Sequence, residues 1–233
     1  MSNNLMYRTA VLVMGFGFIM PMNTASADSA YSDDHESFAK LSAEWWQWAA
    51  SIPSAANPLV TTNGDCMVGQ RGDIWFLSGV FNGSGPITRT CALPEGVSLF
   101  FPLINNVNIN TPNVCGQGPN DISVKELRAQ VAPVMDAAHD LSVEIDGHKV
   151  DRFRRVQSKV FYVALPEDNI FNPFCGGPGT VPTGVYSPAI DDGFYARIHP
   201  LKPGMHTLHF HAENPNATQD VTYTLQVIPL NRH

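Results

Sequence analysis

Apolar positions near the start of the chain recur at the spacing of an amphipathic helix. Between Asp33 and Ser51 they fall every three or four residues, which places them on one helical face. Asp33 and Glu36 have the spacing of residues that cap a helix start. Pro53 disfavours helical backbone at Ile52, so we expect the helix to end there. The apolar face comprises Phe38, Leu41, Trp45 and Trp48.

Two segments that follow carry large apolar side chains on both alternating faces. They are Asp73–Phe81 and Val97–Ile104, separated by a turn-forming cluster at Asn82–Pro86. Strands of this kind are covered on both sides, and the tryptophan-bearing helix is the nearest cover. Pro102 is expected to mark a sheet edge, a bulge or the end of its strand.

The middle of the chain reads as a loop followed by a second helix. Residues 105–120 are crowded with asparagine, glycine and proline and carry no periodicity. Ser123 and Glu126 then form a capping box, and a helical stripe continues to about Met135. Pro133 argues against the last turn of that helix.

The second half of the chain is predicted to be mostly strand. Leu141–Val150 alternates and contains the hairpin turn Asp146-Gly147. Residues 166–192 show no periodicity, and so long a loop is either functional or poorly ordered. Four further segments alternate between apolar and polar residues, the first less cleanly, and the last three read as half-buried antiparallel strands: Val160–Leu165, Phe194–His199, Thr207–His211 and Val221–Val227.

Many short strands with only two helices indicate a mainly β fold. We predict an antiparallel β-sandwich, immunoglobulin-like or jelly-roll, with two helical insertions. A parallel α/β fold would need helices between the strands, which the pattern lacks. Residues 28–233 are predicted to form one domain, with a possible sub-boundary near residues 136–141.

The segment from Leu141 to the C-terminus resembles the secreted immunoglobulin-like modules of bacteria. The resemblance rests on the stretches IDG, DDGFY and LKPGMHTLHF and covers less than half of the chain. It implies a fold and no activity.

The first 27 residues have the pattern of a secretory signal peptide. Arg8 lies in a short polar region, an apolar stretch runs from Ala10 to Met20, and Ala25-Ser26-Ala27 is a small-residue cleavage site. A membrane anchor is the competing interpretation, but this stretch is shorter than the ~20 residues that span a bilayer. We therefore predict a mature protein that starts at Asp28, is secreted or periplasmic, and has no membrane span.

Composition limits the classes of partner. The chain has 233 residues, of which 44% are hydrophobic and 15% charged, so it can fill a core. Its formal net charge is -7, and basic residues cluster only at Arg152, Arg154 and Arg155. Nucleic acid is not an expected partner, because phosphate contacts need a clustered basic surface.

Four cysteines lie in the predicted mature part, and an oxidising compartment makes two disulfides the expectation. Three pairings are possible. We favour Cys66 with Cys91 and Cys115 with Cys175, because each pair lies in loop sequence on either side of a strand-like run. Zinc bound by cysteine is not expected, because no closely spaced cysteine pair occurs.

A histidine-rich strand is the candidate metal site. His209 and His211 project to one face of a strand, with Glu213 two residues further on. His199 or His206 is a candidate third nitrogen ligand for zinc or copper. The competing interpretation is an edge hairpin whose histidines lie on a solvated face.

Aromatic and amide residues are the candidate ligand-binding groups. Trp46 lies about 100 degrees from the core stripe and is the tryptophan expected to be exposed for sugar stacking, although core packing is the competing interpretation. The first interpretation of Asp191 and Asp192 is that they form a turn. The second is that they bind calcium or act as an acid/base pair. Candidate oxygen ligands for calcium or for sugar hydroxyls, which turn geometry explains equally well, are Asp65, Asn105, Asn106 and Asn108.

The sequence lacks the usual catalytic signatures. No nucleophile elbow, H-E-x-x-H, phosphate-binding loop or dinucleotide fingerprint occurs. The leading hypothesis is non-catalytic binding of a glycan or surface component, with no cofactor, through the loops at residues 105–120 and 166–192. The alternative is a zinc- or copper-dependent enzyme that uses His209 and His211, with Glu213 or Arg197 as an accessory group. A purely structural envelope component is a third hypothesis, and whether the protein is an enzyme stays open.

Overall fold

The structure is a computed structural model that describes residues 27–62, 65–81, 83 and 85–230. The predicted signal peptide lies outside the described residues except for Ala27, and so do two residues of the turn cluster, Asn82 and Ser84. The elements in chain order are α1 (Ala27–Ser51), β1 (Ile74–Phe76), β2 (Pro86–Pro94), β3 (Ser98–Ile109), α2 (Val124–Asp136), β4 (His139–Ile145), β5 (His148–Lys149), β6 (Phe153–Gln157), β7 (Phe161–Leu165), β8 (Gly184–Ile198), β9 (Gly204–Asn214) and β10 (Ala217–Ile228). Single 3-10 turns lie at Ser54–Ala56 and Asn172–Cys175.

Two mixed five-stranded sheets form the body of the protein. The first has the order β1-β3-β8-β6, with β7 also paired to β8, and the second has the order β2-β10-β9-β4-β5. The predicted mainly β sandwich with two helical insertions is confirmed. The pairs β1–β3 and β2–β10 are parallel, so the sheets are mixed where the sequence predicted antiparallel ones.

The first sheet is buried on both faces. One face meets the second sheet, where Phe101 stacks on Phe210 with ring centroids 4.9 Å apart. The other face is covered by α1, where Phe38 meets Phe100 edge-on at 5.3 Å. This double cover explains the apolar runs on both faces of β3, which alternation alone does not produce.

Helix α1 begins at Ala27, six residues before the predicted start at Asp33, and ends at Ser51, as predicted. The buried Asn57 side chain donates from Nδ2 to the carbonyl oxygens of Ala49, at 2.7 Å, and Ile52, at 2.9 Å. These bonds satisfy carbonyls that the end of a helix leaves without partners. Asn57 thus fixes the path by which the chain leaves the helix.

Strand β1 is shorter than the predicted strand Asp73–Phe81. After Phe76 the chain continues without strand structure, and the carbonyl of Leu77 instead accepts a hydrogen bond from Trp45 Nε1 at 2.8 Å.

Strand β2 was not predicted from the pattern. Its central Arg89 is 5% exposed, and its guanidinium donates to the carbonyls of Pro58, Thr61 and Gly79. A buried cation of this kind looks like a surface residue in the sequence.

Much of the two predicted long loops is strand. Strand β3 continues through Ile109, and β8 begins at Gly184, so the loop predictions for residues 105–120 and 166–192 are wrong at those ends. Asn106 pairs with Asp192 in this polar part of the ladder. The register shifts between Pro102 and Ile104, and the strand continues beyond them, which agrees with the bulge among the three alternatives given for this proline.

Several local predictions are confirmed. Ser123 and Glu126 form the capping box at the start of α2, and these hydrogen bonds lower the pKa of Glu126. Pro133 lies inside the helix, which nevertheless continues to Asp136. Asp146 and Gly147, both at positive φ, turn β4 into β5.

Both favoured disulfides are present, Cys66–Cys91 and Cys115–Cys175, which indicates an oxidising compartment. Among the described helices, none is long and apolar enough to cross a bilayer.

Candidate functional site

One edge of β3 borders a cleft. Strand β1 covers β3 only from Ser98 to Phe100, and residues 102–109 beyond it all line a cavity of about 460 Å³, which we call the amide cleft. Seven amide side chains line it: Asn105, Asn106, Asn108, Gln117, Asn214, Asn216 and Gln219. Aromatic side chains supply much of the remaining wall: Trp45, Trp46, Phe81, Phe171 and Phe174.

Within the described part of the chain, no Asp, Glu, Lys, Arg or His lines the amide cleft. Its hydrogen-bonding groups are amides, the hydroxyl of Thr111, the indole N–H groups of Trp45 and Trp46, and the backbone. Such a lining offers both donors and acceptors without a fixed charge. A charged ligand would lose its hydration here without gaining an ion pair, whereas a neutral polar ligand would not carry that cost.

Some of the amides form hydrogen bonds to the backbone of other lining residues, and others have unused hydrogen-bonding capacity. Gln219 bonds both the N–H and the carbonyl of Val80, at 3.1 and 2.7 Å. Gln117 accepts from the N–H of Thr111 at 2.7 Å. The side chains of Asn106 and Asn216 have no hydrogen-bond partner among the described residues, which makes them the groups most available to a ligand.

A buried carboxyl group lies behind the cleft wall. Asp191 of β8 is 0% exposed and accepts from Trp46 Nε1 at 2.7 Å and from the Tyr195 hydroxyl at 2.8 Å. Asn105 Nδ2 in turn donates to the Tyr195 hydroxyl at 2.7 Å. One buried carboxyl group, that of Asp191, therefore positions two lining side chains, Trp46 and Asn105, and it has no ion-pair partner among the described residues.

Burial dominates the electrostatics of this network. It raises the pKa of Asp191 well above its ordinary value, although the hydrogen bonds from Trp46 and Tyr195 oppose the shift. Burial likewise raises the pKa of the Tyr195 hydroxyl, and the nearby Asp191 adds to that shift. The phenol therefore remains a neutral donor to the carboxyl group.

Gly193 separates Asp191 from Tyr195 along β8 and lies opposite Asn105 of β3. A Cβ at this position would lie 2.4 Å from Asn105 Cβ and 2.9 Å from the carbonyl oxygen of Ile104. The two strands can approach this closely only because residue 193 has no side chain. This approach brings Asn105 within reach of Tyr195.

The neighbouring Asp192 belongs to a separate, fully paired network. It is 0% exposed, and Arg155 of β6 donates to both of its carboxylate oxygens, from Nε and from Nη2, each at 2.9 Å. Arg155 also bonds Asp136 at the end of α2, and these carboxylates raise the pKa of its guanidinium. The ion pair joins β8, β6 and α2.

The structure changes the interpretation of several predicted ligand-binding residues. Trp46 is 3% exposed, so the expectation of an exposed tryptophan is wrong, although it is one of the residues that line the cleft. Asp191 and Asp192 lie within a strand rather than in a turn. The predicted loop residues Asn105, Asn106 and Asn108 lie on β3 and do line the cleft.

Three of the predicted metal ligands lie on one strand, and the fourth lies outside the sheets. His209 lies 2.8 Å from Asp220 and His211 lies 3.2 Å from Glu213, all in the second sheet. His199 directly follows Ile198, the last residue of β8, and belongs to neither sheet. No residue of this set other than Glu213 belongs to a close three-ligand group in the described chain, so the predicted site stays a prediction.

Sequence reasoning missed the residues that assemble the cleft from distant parts of the chain. Asn214 and Asn216 lie at the β9–β10 turn, and Phe174 lies beside a disulfide cysteine. Turn chemistry accounts locally for the two asparagines. The unequal lengths of β1 and β3 create the cleft, and no local pattern reports that difference.

Comparisons with known proteins do not assign a family. No family model matches the chain, and no curated protein matches it. Among solved structures, the solution structure of amebosin is similar at 12% identity, covering 67% of this chain and 100% of that one, with a TM-score of 0.19. At that TM-score the likeness carries no argument about fold or function.

Proposed function

We propose that this protein is exported and binds an uncharged glycan in the amide cleft. The observation that carries the proposal is the lining of that cleft, which combines aromatic rings with amides and contains no charged side chain among the described residues. Its volume of about 460 Å³ lies within the range of small-molecule pockets.

The chemistry of sugars matches this lining. Each hydroxyl of a neutral sugar both donates and accepts a hydrogen bond, and an amide side chain provides both complements. Aromatic rings suit the apolar C–H faces of a pyranose. Asn106 and Asn216, which have no partner among the described residues, are the proposed hydrogen-bonding groups, and Phe174 is the proposed stacking group because half of its surface is exposed.

Preorganisation supports binding at this place. Asp191 holds Trp46 directly and Asn105 through Tyr195, so these lining groups lose little freedom when a ligand enters. The Cys115–Cys175 disulfide joins the segment after β3 to the segment before β8, and both cysteines line the cleft.

Export is supported by the two disulfides together with the leader pattern in the sequence. Amino-terminal sequencing of protein recovered from its native compartment tests this part. A terminus at Asp28 agrees with export, and an intact Met1 contradicts it.

A glycan array tests the binding function. We expect the full-length mature chain to bind neutral glycans and to bind matched sialylated or uronic-acid glycans at least tenfold less tightly. Asn106→Ala should weaken binding of the best neutral glycan about fivefold, the equivalent of roughly 1 kcal/mol. Gln226→Ala is the matched control, because that amide is exposed on β10 outside the cleft.

Two results would contradict the proposal. One is the absence of saturable binding to any neutral glycan. The other is equal weakening by Asn106→Ala and Gln226→Ala, which would place the ligand outside the amide cleft. Circular dichroism of both variants shows that the fold is retained.

A further inference from the structure

Three metal-ligating side chains gather on the second sheet, outside the amide cleft. His139 and Asp140 open β4, and Glu213 lies near the end of the neighbouring β9. One ligand atom from each of these three residues lies within 4.8 Å of the other two. His139 Nδ1 lies 3.2 Å from Asp140 Oδ2 and 4.0 Å from Glu213 Oε2.

The strand register explains why these residues meet. His139 pairs directly with Glu213, so their side chains project from the same face of the sheet. The register shifts between His139 and Ser142, and Asp140 has a φ of 51°. Consecutive strand residues normally point to opposite faces, and this bulge brings Asp140 alongside His139.

We propose that His139, Asp140 and Glu213 bind a divalent transition-metal ion, with Zn²⁺ as the ion of choice. Ligand atoms about 2.1 Å from a tetrahedral zinc lie about 3.4 Å from one another. The separations of 3.2 and 4.0 Å around His139 Nδ1 are close to that value, so small side-chain rotations close the site. The imidazole favours zinc over calcium or magnesium.

His211 supplies the supporting contact. Its Nε2 lies 3.2 Å from Glu213 Oε1, which leaves the other oxygen of that carboxylate, Oε2, directed to His139. A partner of this kind orients a ligating carboxylate. The side chains of His139 and Asp140 are 58% and 74% exposed, so water can complete the coordination. The set differs from the histidine pair predicted from sequence, because His209 is instead paired with Asp220.

Isothermal titration of the tag-free full-length mature chain with ZnCl₂ tests the proposal. We expect one ion per chain, and we expect His139→Ala and Glu213→Gln each to raise the Kd at least tenfold. His211→Ala should raise it less, because that residue acts through Glu213. The matched controls are His209→Ala and His199→Ala, which remove histidines outside the group and should leave the Kd unchanged.

The absence of saturable zinc binding would overturn the proposal, and so would an equal effect of His139→Ala and His209→Ala. The substituted side chains of His139 and Glu213 are substantially exposed, so the variants should fold, which near-UV circular dichroism verifies. Asn106→Ala should leave zinc binding unchanged, so failure of this site and failure of the glycan proposal are distinguishable.

Discussion

At residue 193 the cleft depends on the absence of a side chain. A Cβ there would lie 2.4 Å from the Cβ and 2.8 Å from the Cα of Asn105, and backbone atoms of β3 cannot swing aside as a long side chain can. Gly193→Ala should therefore push β3 and β8 apart and lower the free energy of unfolding by about 1–3 kcal/mol. It should also weaken glycan binding, because Asn105 loses its contact with Tyr195.

Urea denaturation of Gly193→Ala beside Gly118→Ala measures this effect. A Cβ added at Gly118 would meet no heavy atom within 4 Å, and the backbone there has no left-handed φ, so this substitution should leave stability nearly unchanged. Equal stability of the two variants would contradict the packing described here.

Among the contacts between secondary-structure elements, the ion pairs of Arg155 join β6 to β8 and α2. Arg155→Leu leaves the carboxylate of Asp192 buried without its cation, so we expect a loss of about 3–5 kcal/mol. Asp136→Asn removes the exposed partner of the same guanidinium and should cost below about 1 kcal/mol. Chemical denaturation of both variants gives the two values, and a larger loss for Asp136→Asn would contradict this ranking.

The β4–β5 turn is tied to β9 by a pair that responds to pH. His206 Nδ1 lies 2.7 Å from Asp146 Oδ2; this contact raises the pKa of His206 and lowers the pKa of Asp146. The contribution of His206 to the free energy of unfolding is complete below the pKa that this histidine has in the unfolded chain. It disappears as the pH rises through the higher pKa that His206 has in the folded protein. The contribution of Asp146 to the free energy of unfolding is complete above the pKa that this carboxylate has in the unfolded chain. It disappears as the pH falls through the lower pKa that Asp146 has in the folded protein.

Stability measured against pH checks this pair. The difference in unfolding free energy between the natural chain and Asp146→Asn should be largest near about pH 5.5 and should shrink towards about pH 3 and pH 8.5. A difference that is constant across this range, or largest at the alkaline end, would show that the pair does not act as described.

The two disulfides, which both stabilise the whole chain, should differ in their effect on glycan binding. Cys115 and Cys175 line the cleft, whereas Cys66 and Cys91 do not. Their sequence separations of 60 and 25 correspond to about 4 and 3.5 kcal/mol of loop-closure stabilisation. Replacing either pair with serine should therefore lower stability similarly.

We expect the Cys115→Ser/Cys175→Ser variant to bind glycan more weakly even under conditions in which it is fully folded, because the missing bond joins two segments that line the cleft. The Cys66→Ser/Cys91→Ser variant should keep its affinity under the same conditions. Binding measured well below the melting temperature of both serine variants separates the two effects. Equal affinities in the two variants would contradict the role assigned to this crosslink.

The sequence was informative where structure is local. The helical stripe of α1, the capping box at Ser123 and the Asp146-Gly147 turn are each set by neighbours within a few residues. The sequence was misleading where long-range contacts override pattern. Arg89 is buried because three distant carbonyls surround it, and the polar ends of β3 and β8 are strands because they pair with each other.

The candidate site shows the same division. The sequence predicts Asn105, Asn106 and Asn108 as loop residues that bind calcium or sugar hydroxyls, and the structure places them on β3 in the lining of the cleft. The angular position of Trp46 on the helix, away from the apolar stripe, predicts an exposed side chain. Its indole N–H instead donates to the buried carboxyl group of Asp191, which lies 145 residues later in the sequence. Helical periodicity contains no information about such a partner.

A neutral glycan in the amide cleft is the main prediction for this protein. Its most direct test is a titration of ¹⁵N-labelled protein with the neutral glycan that binds best on the array, followed through the side-chain N–H signals. Perturbations concentrated on the Trp46 indole and on the amides of Asn105, Asn106 and Asn216 are the expected result. Saturating binding that leaves these four signals unmoved and shifts those of another surface would contradict the claim.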